Sequence, residues 1–298
     1  MNFNKLLREL QSGLIKFIQK VKNSKVLLLS LTLLSIAYPI LLICLSWDEI
    51  IRIKNVNLSF LIISFVLYLT STIIQSLNWT IILKRPLKKF FEDVLIYSRT
   101  LLMQRLPGGF WQWIGRINIY ESKTSVSSKT TFTAIFYERI TLIASGFVSF
   151  LLFNNILLGF AGIIIIWILL SLWKRKDHPH FSDSLFYQSI HIFSYIICWI
   201  LGGLLLHTII VSLYPNIIFS VNKSIVIWSI TGMLGLVFFF LPGGIGIREL
   251  SLSTLLMPEL DFSQTILISL SLRILFLSSD LLIGLMGILL SQFLQINV

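Results

Sequence analysis

Seven stretches of this chain are apolar over lengths that a bilayer can hide and a small water-soluble core cannot. They are Val26–Ser46, Leu58–Leu83, Thr131–Phe153, Ile156–Trp173, Leu185–Leu213, Ser224–Leu241 and Gln264–Leu294. A membrane-crossing helix needs roughly 20 mostly apolar residues. With 56% hydrophobic and 12% charged residues in 298, the chain has too little polar surface to coat so much apolar sequence in water. The expectation is an all-α polytopic membrane protein of about seven transmembrane helices, because only helices satisfy the backbone of such runs in lipid.

The charge belongs to the same picture. Lys and Arg number 24 against 13 Asp and Glu, a net charge of +11, which in a membrane protein marks topology and anionic headgroups rather than nucleic acid. Residues 1–25 place Phe3, Leu6, Leu7, Leu10, Leu14, Phe17, Ile18 and Val21 at three- and four-residue steps with lysines and arginines between them. This pattern predicts a basic amphipathic helix lying on an anionic leaflet. No small-residue cleavage site follows the first apolar run, so residues 26–298 are expected to form one transmembrane domain with that span retained. Further basic clusters fall at Lys84–Lys89 and Lys174–His180. The positive-inside rule sets them and the N-terminus on the cytoplasmic side of a cell (inner or plasma) membrane.

Metal and cofactor chemistry find little footing. Cys44 and Cys198 sit singly in apolar runs, and His191 and His207 fall on nearly opposite helix faces, so neither a metal site nor a cofactor is expected. There is no DxD, HExxH or GxxxxGK[ST] motif. The chain is therefore read as a non-enzyme with no nucleotide site of its own.

The four residues LPGG occur twice, in "QRLPGGFWQWIGR" and in "FFFLPGGIGIREL". Phe91–Ser122 and Pro242–Met257 are too apolar for ordinary loops and too broken by Pro and Gly for continuous helices. Non-helical backbone at membrane depth survives only where protein or a wet cavity satisfies it, which predicts two re-entrant or broken helical segments facing a shared interior. Their breaks lie at Pro107, Gly108 and Gly109, and at Pro242, Gly243, Gly244 and Gly246. The repetition suggests an internal duplication, with units around 58–150 and 185–298.

Charges inside the apolar runs mark the candidate site. Each costs on the order of 2.5–3.5 kcal/mol at mid-membrane unless it is paired or wet. Glu138 and Arg139 are adjacent, so they point about 100° apart and do not neutralise each other. Glu138, Thr141, Ser145 and Ser149 make a polar stripe suited to an inward face. On the last span Arg273, Asp280, Gly284, Gly287 and Ser291 share one side, and the glycines there allow close approach of another element. Arg116 follows the first break, and Arg248 and Glu249 follow the second, at an expected helix start that suits an anion. Arg116, Glu138, Arg139, Arg248, Glu249, Arg273 and Asp280 are thus the candidate headgroup or ion pathway. The alternative is a buried ion network that only fixes helix packing. Arg52, Lys54 and Arg85 read as snorkelling anchors at helix flanks.

"LPGGIGIRE" (Leu241–Glu249) resembles the P-G-G-x-G-x-R-E signature of the lysylphosphatidylglycerol synthase transmembrane-region family of flippase-like membrane proteins. "RLPGGFWQWIGR" is similar to that family's earlier proline-glycine segment, "YERI" (Tyr137–Ile140) to its intramembrane Glu-Arg, and Arg273 to the arginine of its last span. The resemblance implies binding and translocation of a lipid with an anionic, phosphate-bearing headgroup. Partners would be membrane lipids of the phospholipid or polyprenyl-phosphate type, together with a separate synthase or transferase. These residues include no soluble aminoacyl-transfer domain, so lipid aminoacylation by this chain is not expected. The alternatives are a membrane partner of such an enzyme, or an enzyme of lipid-linked glycan or phospholipid modification.

Overall fold

The computed structural model describes residues 40–41, 43–44, 47–52, 56–83, 85–104, 111–124, 126–177, 185–238 and 247–293. Among these residues the fold is an all-α bundle of ten helices. They are α1 (Trp47–Arg52), α2 (Leu58–Ile82), α3 (Phe90–Gln104), α4 (Trp111–Lys123), α5 (Ser128–Asn154), α6 (Ile156–Asp177), α7 (Leu185–Leu213), α8 (Val221–Val237), α9 (Ile247–Leu256) and α10 (Phe262–Phe293), with one 3₁₀ turn at Leu87–Lys89. The amphipathic helix expected over residues 1–25, and all but the end of the first apolar run, lie outside the described residues, as do both LPGG stretches.

Polar residues between the apolar runs set the helix ends. Asn57 Oδ1 accepts the Ser59 N–H at 3.1 Å to start α2, and Ser127 Oγ accepts the Thr130 N–H at 3.2 Å to start α5. Asn155 separates α5 from α6 by accepting from Leu157 N at 3.0 Å. Such caps satisfy N–H groups that a helix start leaves without an intrahelical partner.

Among the described residues, four helices are long and apolar enough to cross a membrane: Leu58–Ile82, Ser128–Asn154, Tyr187–Leu213 and Phe262–Phe293. That is fewer than the seven spans expected. Two of the other expected runs fall in α6, which is 22 residues long, and in the shorter apolar helix α8, Val221–Val237. At 17 residues α8 reaches about 26 Å before the Pro-Gly-Gly sequence that follows it. The described helices next to residues 105–110 are 15 and 13 residues long, and those next to residues 239–246 are 17 and 10. Ile62, Ile63, Val66, Ile73 and Leu77 on α2, with Leu281, Leu285 and Leu289 on α10, remain exposed, as lipid-facing surfaces are.

Helix α2 lies along α7. The contacts pair Asn57 N with Ser212 O (3.1 Å), Ser64 Oγ with Thr208 Oγ1 (2.7 Å) and Asn78 Nδ2 with Ser194 Oγ (2.6 Å). Partner numbers fall along α7 as they rise along α2, so the two helices run antiparallel. Helix α5 packs on α8, and α10 packs on α3. Glycines set the closeness of these crossings, as small residues do between membrane helices. A Cβ at Gly284 would stand 2.3 Å from Leu102 Cγ of α3, and one at Gly203 would stand 2.5 Å from Ile225 Cα of α8. Among the described residues two large apolar cores result, beside a small cluster of Ile266, Leu267 and Leu270. One gathers Trp79, Ile96, Tyr97, Trp113, Tyr120 and Ile135, and the other gathers Leu206, Ile209, Leu252, Leu256, Ile268 and Phe276.

Candidate functional site

Between the two cores lies a cavity of about 230 Å³. Tyr97 and Trp113 reach it from the first core, and Leu205 and Phe276 from the second. Helix α2 contributes Tyr68, Ser71, Thr72 and Gln75, while Trp199 and Trp228 come from α7 and α8. These indoles need flat room. A Cβ at Gly232 would stand 2.4 Å from the Trp199 ring, and one at Gly202 would stand 1.9 Å from Trp228 Nε1.

Among the described residues, Glu138, Arg139 and Arg248 are the charged ones that line the cavity. Arg116 stands behind Glu138. Its Nη1 donates to Glu138 Oε2 at 2.9 Å and its Nε to Thr100 Oγ1 at 3.2 Å. Its guanidinium lies 4.0 Å from the centre of the Tyr97 ring and 4.6 Å from that of Trp79. With side chains 1% and 4% exposed, this is a buried, nearly neutral unit. The ring faces add cation–π attraction. The Tyr97 hydroxyl lies 3.2 Å from Gln75 Oε1 and 3.4 Å from Glu138 Oε1, and its single proton can go to one of these acceptors at a time. Glu138, Thr141, Ser145 and Ser149 are all buried.

Arg139 is placed differently from its neighbour. Its Nη2 donates to Gln112 Oε1 at 3.2 Å, and its guanidinium lies 5.8 Å from the Trp113 ring centre. Nε is buried and makes no hydrogen bond, and no described carboxylate forms an ion pair with this side chain. Arg248, one residue into α9, rests its guanidinium 4.5 Å from the Trp228 ring and 4.9 Å from Phe276.

The remaining predicted site residues sit elsewhere. Arg273 Nη1 donates to Glu249 Oε1 at 3.1 Å, joining α10 to α9. Asp280 accepts a hydrogen bond from the Tyr68 hydroxyl. None of Arg273, Glu249 and Asp280 is among the described cavity-lining residues, and Arg273 and Asp280, which share a face of α10, each pair with a residue of another helix. The backbone positions Pro107, Gly108, Gly109, Pro242, Gly243, Gly244 and Gly246 lie outside the described residues.

Arg85, expected as a snorkelling anchor, is corrected by the structure. It pairs with Asp93, and with Glu92 at 3.0 Å. Asp93 is fully buried and also accepts from the Tyr120 hydroxyl at 2.9 Å, while Trp79 Nε1 donates to that hydroxyl at 2.8 Å. Burial alone would lower the Arg85 guanidinium, but the facing Asp93 and Glu92 outweigh it and hold it above its ordinary value. The reason is local: residues 85–90 fold back onto α3, so the arginine meets two acids of the next helix before it can reach a headgroup. His191 Nδ1 lies 3.2 Å from Asn78 Oδ1. Among the described residues no cluster of three or more His, Cys, Asp or Glu could hold a metal ion.

Sequence reasoning missed Gln75, Gln112, Asp93 and the aromatic cradle of Arg248. The two glutamines had a usable signal, since an amide within an apolar helix needs an inward partner as a charge does. Trp228 and Phe276 had none, because their contact with Arg248 joins helices distant in sequence.

The bundle and its charged, aromatic-walled cavity define a multi-pass, largely helical membrane protein. No family model, no curated protein and no solved structure matches the chain.

Proposed function

We propose that the chain is a flippase-like protein which takes the phosphate-bearing headgroup of a lipid into the central cavity and carries it across the membrane. One observation carries this reading: Arg139, in the interior of a membrane-length helix, faces the cavity with only a neutral amide and an indole as described partners. A cation kept at such a depth without a carboxylate is costly and marks a substrate path. The likeness of "LPGGIGIRE" to the lysylphosphatidylglycerol synthase transmembrane region points the same way.

Translocation is proposed to use two inverted halves. The order long helix, short helix, break, short helix, long helix in α2–α5 recurs in α7–α10. The antiparallel run of α2 against α7 supports inversion of one half relative to the other, and α5 on α8 is answered by α10 on α3. Each half ties the limb after its break to its own long helix through an ion pair, Arg116–Glu138 in the first and Glu249–Arg273 in the second. Loop charge agrees. Lys88, Lys89, Lys123 and Lys129 flank the first hairpin, whereas the second is flanked by Lys223, which pairs with Glu259, and by Asp261.

The test is a liposome assay with a fluorescent anionic phospholipid and a membrane-impermeant quencher. Protein-containing vesicles should expose the inner-leaflet probe faster than empty ones, and Arg139→Ala with Arg248→Ala should remove the gain without lowering the melting temperature. Equal rates for protein-containing and empty vesicles would refute the proposal.

A further inference from the structure

We infer that Gln112 is the positioning residue of the headgroup site: its neutral amide directs the Arg139 guanidinium at the cavity wall while leaving that charge to an incoming anion. This rests on the reading of the cavity as a headgroup site and adds what holds Arg139 in a binding state.

The geometry lies in how one face of α4 meets two adjacent residues of α5. Gln112 and Arg116 are four positions apart on α4, so they stand on the same side of it. Glu138 and Arg139 diverge by about 100°. The acid takes the charged partner, with Arg116 Nη1 at 2.9 Å, and the base takes the neutral one, with Gln112 Oε1 3.2 Å from its Nη2. A guanidinium can only donate, so the amide turns its oxygen to Arg139. Gln112 is 1% exposed and lines the same cavity as Arg139 and Trp113. A buried amide is costly unless it is hydrogen-bonded, and the described hydrogen bond of this side chain is the one to Arg139.

Other residues at this position would fail in distinct ways. An apolar side chain would take the acceptor from Nη2 when the buried Nε already has none, and would free the guanidinium from its place 5.8 Å from the Trp113 ring centre. A glutamate would hold the guanidinium more strongly, because a buried cation would gain a counter-charge. It would also set a carboxylate against the group that must meet a phosphate oxygen, and an incoming anion would have to displace it or lie beside it. Glutamine gives direction without compensation. Anchoring and anion binding thus respond oppositely to one isosteric change, which separates positioning from space filling.

The experiment uses the full chain in phosphatidylcholine liposomes containing increasing fractions of phosphatidylglycerol, with a fluorescent phosphatidylglycerol as probe and a membrane-impermeant quencher as readout. Melting temperatures are taken on the same preparations in detergent before reconstitution. For Gln112→Glu the melting temperature should stay at or above that of the parent, while the phosphatidylglycerol fraction giving half the maximal rate should rise about tenfold or more, the scale of one like-charge contact. Gln112→Met keeps the cation and loses its anchor, so its half-saturating fraction should rise by a smaller factor. A Gln112→Glu chain that melts lower than the parent or does not fold overturns the inference, because a carboxylate placed there should hold the guanidinium at least as well as the amide. An unchanged half-saturating fraction in either variant shows that Gln112 only fills space, and overturns its role while the headgroup reading stands. Parent vesicles no faster than empty ones remove the headgroup reading itself, and the role of Gln112 with it.

Discussion

Replacing Glu138 by Gln tests whether the Arg116–Glu138 pair holds the first half of the bundle together. The parent pair is 2.9 Å apart with side chains 1% and 4% exposed, so removing the acid leaves an arginine buried without its counter-charge. Breaking a buried pair from one side typically costs about 3–5 kcal/mol. Two features pull the value toward the lower end. The Gln carbonyl can still accept from Nη1, and the Tyr97 and Trp79 rings, 4.0 and 4.6 Å away, continue to attract the cation. Taking about 3 kcal/mol and roughly 2 °C per kcal/mol for a chain of this size, the apparent melting temperature in detergent should fall by about 6 °C at a fixed scan rate. Replacing both partners, Arg116→Met with Glu138→Leu, should recover most of that loss, because apolar residues of similar volume often substitute for a buried ion pair without penalty. A single variant that melts within about 2 °C of the parent, or a double variant no better than the single, would show that the pair is not the buried electrostatic unit described.

Three further outcomes are expected. Gly203→Ala should lower stability by about 1–3 kcal/mol in a denaturation titration, because its Cβ would meet the Ile225 Cα at 2.5 Å and push α7 from α8; an unchanged midpoint would contradict the close crossing. Ser64→Cys with Thr208→Cys, in a chain with Cys44 and Cys198 changed to Ala, should form a disulfide on mild oxidation, since the parent oxygens are 2.7 Å apart. No cross-link on a reducing-gel assay would contradict the antiparallel contact. Single cysteines at the exposed Lys88 and at the fully exposed Ile218 should react with an impermeant maleimide from opposite faces of sealed vesicles. Labelling of both from one face would remove the inverted arrangement.

The parts of this fold legible in the sequence were those that obey a period. Apolar runs gave α2, α5, α7 and α10, and the three- and four-residue steps from Glu138 to Ser149 gave the buried stripe. Span number was less legible, because an apolar run says nothing of how much of it a helix keeps, as α8 shows. The charged residues were recognised as costly, but their partners were not. Arg116 and Glu138 lie on different helices, and Tyr68 and Asp280 are 212 positions apart. Such pairings depend on which helices become neighbours, a property of the assembled bundle rather than of any window. Arg85 was misread for the same reason: its partners depend on the fold-back at residues 85–90.

The two ion pairs that follow the breaks also bear on biogenesis. Arg116 and Glu138 are 22 positions apart, and Glu249 and Arg273 are 24. At about 5–20 residues per second of synthesis, each charge waits only about 1–5 s for its counterpart to be made. Each half can thus enter the insertion machinery with these charges already matched by its own nascent chain. Arg139 gains no such escort, and α5 must be integrated with that cost outstanding.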